Sequence, residues 1–479
     1  MKVNFNCSKR GIVLEAKNKK FSMDFPERIW QTYRDKDFFL DNYALLSTIC
    51  MPLIAGIKKV EYNTSLPLFK KQFSNMILGD IPCSTEDYAR GTKETIEQFK
   101  KTKYIFSSNQ AKMPNETLGN HRISGAPKTP ENQGFSVSRK SGGFSRTRKF
   151  SSEINSDEKA IIPLSCGKDS LLTLGVAREI GLKPIGIYID DTVSPSENKI
   201  KIEMLKQIEK NEKIKCHVVI NSLEKFNDFE TWKKAETCLG YGHMVTSFCF
   251  ASLPFLEFYN AKYVVLGNQQ DLEWGIKNKE GFVIYPSFDQ TSKWQTEQNK
   301  MIKRATNNAA EITSIIRPLT DLGIMHVLFS RYKELAKHIV SCDSLDASNE
   351  KRWCADCSGC ATYSLFMLAV GVNPKTVGLS PMLEKKHEKF YRLFDGKKTE
   401  FYDDSKNARG KQLLAFYMAM KNGAKGYLVD KFKREFLKEA VSREDELRKF
   451  FFSLHPADIP KEIKSDVLSI YREELKRIR

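Results

Sequence analysis

The stretch Lys159-Ala-Ile-Ile-Pro-Leu164, Ser165-Cys-Gly-Lys-Asp-Ser170, Leu171-Leu-Thr-Leu-Gly-Val-Ala-Arg-Glu-Ile-Gly181 decides the fold. A short apolar run passes through a turn directly into a helical pattern, which reads as strand, loop and helix. Outward from it, 183–190 (KPIGIYID) reads as a second strand and 196–210 (SENKIKIEMLKQIEK) as a helix. The runs 216–221 (CHVVIN) and 261–268 (AKYVVLGN) repeat the strand signal. Apolar strands without polar alternation, separated by helices, imply an α/β doubly wound parallel sheet buried on both faces. Such sheets bind ligands at the carboxyl ends of their strands, which is where the polar residues of these segments fall.

This unit is expected over residues 158–375. Residues 1–106 read as an N-terminal α+β domain. It opens with a hairpin in which GIVLEAK and FSMDF flank a turn at Asn18, Lys19 and Lys20. A helix is expected from Glu27 through Ile29, Trp30 and Tyr33, a second one capped by Asp41, and a third starting at Ser84 and Asp87. Residues 107–157 turn to Ser, Gly, Asn and Pro with Arg139, Lys140, Arg146, Arg148 and Lys149, the composition of a basic flexible linker. Residues 376–479 read as a helical accessory domain. No repeat of 20 to 50 residues is visible.

The chain has 479 residues, of which 41% are hydrophobic, so each of several domains can bury a core without disulfides. Its longest apolar run, Leu45–Ile57, falls short of the roughly 20 residues that cross a bilayer. The N-terminus lacks a signal-peptide pattern, so a cytoplasmic location and no membrane partner are expected. Lys+Arg 77 against Asp+Glu 59 leaves +18, which predicts attraction to polyanions without distinguishing tRNA from a nucleotide-linked small molecule. A homo-oligomer is compatible with this composition.

A loop between a strand and a helix N-terminus offers backbone N–H groups at the positive end of the helix dipole, which suits a pyrophosphate. Gly167 lets the backbone approach, Lys168 adds a full charge, and the hydroxyls of Ser165 and Ser170 can donate. The Walker pattern G-x-x-x-x-G-K-[ST] is absent. Asp190 and Asp191 close the second strand, and Gly267-Asn268-Gln269-Gln270-Asp271 closes a later one. Asp190 or Asp271 suits Mg²⁺, and each is equally a solvated strand cap.

Among 11 cysteines, Cys342-x11-Cys354-x2-Cys357-x2-Cys360 forms a cluster. Four thiolates, three at knuckle spacing, fit a closed Zn²⁺ site, with an iron–sulfur cluster as the alternative.

The hexapeptide Ser165–Ser170 resembles the S-G-G-x-D-S signature of the PP-loop ATP pyrophosphatase superfamily, whose members split ATP between its α and β phosphates. The resemblance implies ATP and Mg²⁺ as cofactors. It assigns Ser165, Cys166, Gly167, Lys168, Asp169 and Ser170 to the pyrophosphate, with Lys168 and Asp169 close to the reacting phosphates. Cys166 stands where the pattern has glycine, and a small side chain is tolerated there if φ stays negative. Asp190, Gly267, Asn268 and Asp271 would border the nucleotide. Two superfamily branches combine this loop with a late cysteine cluster. The 7-cyano-7-deazaguanine synthases share its order. The ATP-dependent UDP-MurNAc-L-Ala-L-Glu epimerases are similar over roughly Pro163 to Leu368, through Gly242-His243, Ser287–Glu297 (SFDQTSKWQTE), Arg317-Pro318-Leu319, Ser341-Cys342 and Trp353-Cys354. Gln269-Gln270-Asp271 departs from the epimerase pattern.

The expected chemistry is adenylation of a substrate carboxylate with release of pyrophosphate. The adenylate then undergoes epimerisation, with a base removing the α-proton, or attack by ammonia as in the synthases. A tRNA-thiolating enzyme and a non-catalytic nucleotide-binding scaffold are the other readings. His243, Lys293, Asp289 and Glu273 are the acid/base candidates, His243 being equally a helix cap and Lys293 equally a phosphate ligand.

Overall fold

The structure is a computed structural model that describes residues 1–85, 91–115, 158–190, 195–234, 238–341, 352–394 and 406–478. Its strands are β1 (Lys2–Cys7), β2 (Gly11–Ala16), β3 (Lys19–Asp24), β4 (Lys59–Tyr62), β5 (Lys103–Ile105), β6 (Lys159–Pro163), β7 (Lys183–Ile189), β8 (Cys216–Asn221), β9 (Tyr263–Val265), β10 (Ile276–Lys277), β11 (Val283–Ile284) and β12 (Glu311–Thr313). All but the β10–β11 ribbon join one 10-stranded sheet in the order β12-β9-β6-β7-β8-β3-β2-β1-β4-β5.

From β12 to β8 every pairing is parallel. Alternate residues of one strand enter different cores: Ala160 and Ile162 of β6 pack on one face, Ile161 on the other. Tyr263 and Val265 of β9 likewise oppose Val264. Period-2 alternation between two apolar faces is why these strands read as unbroken apolar runs. The helices Lys168–Glu179, Pro195–Glu212 and Asp321–Arg331 contribute to one face, and Met244–Ala251, Leu253–Tyr259 and Ser292–Ala305 to the other. The molecule is α/β, with a mostly parallel central sheet covered on both sides.

The N-terminal strands extend this sheet, because β3 pairs antiparallel with β8 through Met23 with Asn221 and Asp24 with Ile220. Their side chains share a core with Ile161, Ile187 and Val219, while the C-terminal helices complete the core on the opposite face. The two cores thus divide by sheet face, across the expected chain divisions.

Several local expectations shift. The hairpin turn is two residues, Lys17 and Asn18, at φ 47° and 62°. A two-residue turn with both φ positive matches strand twist, so Lys19 and Lys20 pair in β3 instead of turning. Asp41 lies inside the helix Lys36–Leu46 and does not cap it; its carboxylate accepts the Ser65 N–H at 2.8 Å. Ser84 ends the helix Lys70–Thr85 instead of starting the next, because its hydroxyl donates to Asp80 at 2.7 Å rather than capping. Asp87 lies outside the described residues. The run Lys36–Ala55 is apolar enough to span a bilayer by length and composition, yet 89% of its most apolar window is buried in the protein. Of the expected linker, Ser107 bonds back to Thr64 at 2.9 Å and Asn115 to Asp35 at 3.1 Å; residues 116–157 lie outside the described residues.

Candidate functional site

The loop Ser165–Gly167 leaves β6 and enters the helix Lys168–Glu179 with Gly167 as its N-cap. β6 is followed in sequence by β7 on one side, while β9 flanks it on the other, so the loop opens where the winding of the sheet reverses. That is the crevice in which open α/β sheets bind ligands. Ser165 is exposed and Ser170 buried, their hydroxyls 3.4 Å apart, and Ser170 Oγ donates to the Gly167 carbonyl at 3.1 Å. Gly267, at the end of β9, closes the other wall: a Cβ there would stand 3.2 Å from that of Asp169, so a side chain would crowd the loop.

Cys166 corrects one expectation. Its φ is +60°, not negative, so it occupies the left-handed position that glycine takes at least cost. Its side chain is fully buried, burial pushes the thiol up to about 12, and its carbonyl accepts the Val340 N–H at 2.9 Å. A buried neutral thiol fills space and is no nucleophile.

Behind the loop runs a chain of buried ions. Lys168, 1% exposed, places Nζ 2.8 Å from Asp169 Oδ2 and 2.7 Å from Asp321 Oδ1. The second oxygen of Asp321 holds Lys411 Nζ at 2.7 Å, and Lys411 also pairs with Asp271. Asp271 Oδ2 in turn accepts the Asp321 N–H at 2.8 Å. Burial alone would raise the Asp321 carboxyl, but the two ammonium groups outweigh it and hold the acid below the usual range. Burial raises Asp169, which has Lys168 as its cation and is repelled by Asp321. Sequence reasoning found Lys168, Asp169 and Asp271 and missed Asp321 and Lys411. Asp321 follows Thr320, whose hydroxyl accepts the Gly323 N–H at 3.3 Å, so a Thr-Asp helix start was the available signal. Lys411 had none, because its helix Ala408–Lys421 is buried on nearly every side.

A second network joins Asn268, the Ser287–Glu297 segment and Arg317. Gln295 Oε1 accepts Asn268 Nδ2 at 3.0 Å and Arg317 Nη2 at 2.8 Å, and Arg317 Nη2 also reaches the Gln290 carbonyl at 2.8 Å. Arg317 pairs with Glu273, which caps the helix Ser292–Ala305 by accepting the Ser292 N–H at 2.6 Å. Glu273 is therefore committed as cap and counter-ion. Arg317, Gln270, Gln295 and Glu273 border a polar cleft of about 790 Å³ beside β12. Asp190 directly follows β7, its N–H on the Val219 carbonyl at 2.8 Å, and does not line that cleft. Asp191 lies outside the described residues.

The other acid/base candidates separate. Lys293 is exposed in the first turn of its helix and takes part in neither network. His243 is fully buried, precedes the helix Met244–Ala251, and stands with Nε2 3.7 Å from Glu224 Oε2. Burial pushes its imidazole down to about 4, so it is neutral near pH 7. Asp289 accepts the Val245 N–H at 2.8 Å and Ser287 Oγ at 3.0 Å; burial, reinforced by repulsion from Asp80, pushes it up to about 7. Asp80, missed in the sequence, is raised by burial to about 6. Gly242 lies so close to the Asp80 carboxylate that a Cβ would overlap it.

The sulfurs of Cys354, Cys357 and Cys360 lie within 4.8 Å of one another and could hold a metal ion such as zinc. Cys357 Sγ accepts the Cys360 N–H at 3.3 Å and Cys354 Sγ the Asp356 N–H at 3.4 Å, bonds that help to orient these two sulfurs. Cys342 lies outside the described residues. One turn past Cys360, the Tyr363 hydroxyl stands 3.5 Å from the Lys168 backbone N, so the cysteine knuckle and the loop share a wall. No protein-family model matches this chain, and no curated protein matches it.

Proposed function

We propose that this chain is a PP-loop enzyme that adenylates a substrate carboxylate with ATP and releases pyrophosphate. The observation that carries the reading is the Ser165–Ser170 loop at the winding reversal of the sheet, with Lys168 beneath it. In this reading the first-turn N–H groups of the helix, Ser165, Ser170 and Lys168 take the β and γ phosphates as the substrate carboxylate attacks the α-phosphorus. Mg²⁺ would neutralise phosphate charge there. Asp271 is committed to Lys411 and Asp169 to Lys168, so Asp190, just past the end of β7, is the carboxylate this reading gives it. Asn268, fixed by Gln295, lines the nucleotide side. Cys342 would complete a closed zinc site with Cys354, Cys357 and Cys360, stapling the helix that carries Tyr363.

Among the groups considered for proton transfer, Asp289 has the proton affinity that suits a base near neutrality, whereas His243 does not. The likeness of Gly242-His243 and Ser287–Glu297 to the epimerase segments favours an epimerase-like fate of the adenylate over attack by ammonia or sulfur. Pyrophosphate release is to be measured with UDP-linked peptides, carboxy-deazaguanine and tRNA, with Ser170→Ala alongside. The UDP-linked peptide should drive release by the native protein and not by the variant. Equal rates in both proteins would overturn the assignment.

A further inference from the structure

Lys411 belongs to the helix Ala408–Lys421, some 240 residues beyond the loop in sequence, yet its ammonium is fully buried against Asp271 and Asp321. A lysine is this deeply buried only when carboxylates compensate it. Here the compensation is shared. Asp321 offers one oxygen to Lys168 at 2.7 Å and the other to Lys411 at 2.7 Å. Each cation therefore weakens the hold of Asp321 on the other.

That sharing matters because Lys168 is already paired in the structure, with Asp169 and Asp321. To grip a pyrophosphate, its ammonium must exchange a carboxylate oxygen for a phosphate oxygen. A carboxylate with a single cation in a low-dielectric interior would hold that cation too firmly for the exchange. Asp321 with two cations holds each less.

We propose that Lys411 is a positioning residue of the phosphate loop: by sharing Asp321, it lets the Lys168 ammonium pass from that carboxylate to the phosphates of a nucleotide. The inference rests on the ATP-binding reading above and gives the C-terminal helices a part in the site. Lys411 itself touches no phosphate. Its influence runs through Asp321, and its contact with Asp271 anchors it.

Affinity for MgATP and the melting temperature are to be measured on the full chain for the native protein, Lys411→Met, Lys411→Arg and two double variants. Lys411→Met should weaken MgATP binding about tenfold or more, and Lys411→Arg should recover most of the loss. The double variants separate positioning from folding. Lys411→Met with Asp321→Asn removes the carboxylate that traps Lys168 and should restore affinity. Lys411→Met with Asp271→Asn removes the same charge without freeing Lys168 and should stay weak, even where its melting temperature recovers. Should Lys411→Met not fold, the two double variants still decide the matter against each other. Equal affinities in both doubles, or native affinity in Lys411→Met, would overturn the proposal while leaving the ATP reading intact. A native protein that binds no MgATP would overturn both.

Discussion

Two regions of this protein bury carboxylates and treat them in opposite ways. Behind the loop, Asp321 and Asp271 are compensated by Lys168 and Lys411, and Asp321 is held ionised. Beside the helix Met244–Ala251, burial instead drives Asp80 and Asp289 towards their protonated forms, and the nearby His243 towards its neutral one. Buried acids follow the charge of their neighbours, not their residue type. In the first region Asp321 is held by two cations, and in the second the acids have no cation to oppose their burial.

The contrast is broken most severely by deleting a cation. Lys168→Met strands Asp169 and leaves Asp321 with Lys411 alone, and removing one partner of a buried pair typically costs about 3–5 kcal/mol. Urea unfolding should show a loss of that size, and a change below about 1 kcal/mol would mean that the pair is not buried in solution. The proton-holding region makes a milder prediction through pH. The folded-state pKa of Asp289 is raised to about 7, so its contribution to stability is full below the ordinary carboxylate range and is lost as pH rises through 7. Asp289→Asn keeps an oxygen to accept the Val245 N–H and has no proton to lose. It should flatten the fall of stability between about pH 4 and 7, a difference on the order of 3 kcal/mol. Melting temperatures across that range check this, and parallel curves for the two proteins would remove the protonated-acid account. The smallest effect belongs to Cys166→Gly. Relief of the left-handed residue, worth about 1–2 kcal/mol, is offset by the space the buried thiol leaves. Stability should change by less than about 1 kcal/mol, with pyrophosphate release retained.

The parallel strands were legible because residues buried on two faces must be apolar, and the interiors of β6 (Ala160–Ile162) and β7 (Ile185–Ile189) and the whole of β9 are. The strand–loop–helix path was legible because small residues between an apolar run and a helical pattern mark a turn, a local property of Ser165 to Ser170. What escaped was non-local. The pairing of Met23 with Asn221, which welds the N-terminal hairpin to the sheet, leaves no trace in either segment. Lys411 looks like any lysine on a helix until Asp271 and Asp321 are brought to it. Cys166 was misjudged for a related reason, since its positive φ follows from the path of the turn and the Val340 contact, not from its own preference.

The central claim concerns which phosphate bond is broken. Phosphorus NMR of the reaction of MgATP with the UDP-linked peptide identifies the products directly. AMP and pyrophosphate in equal amounts are the predicted result. ADP and orthophosphate would contradict it, because cleavage would then fall between the outer phosphates that the loop is held to grip as one unit.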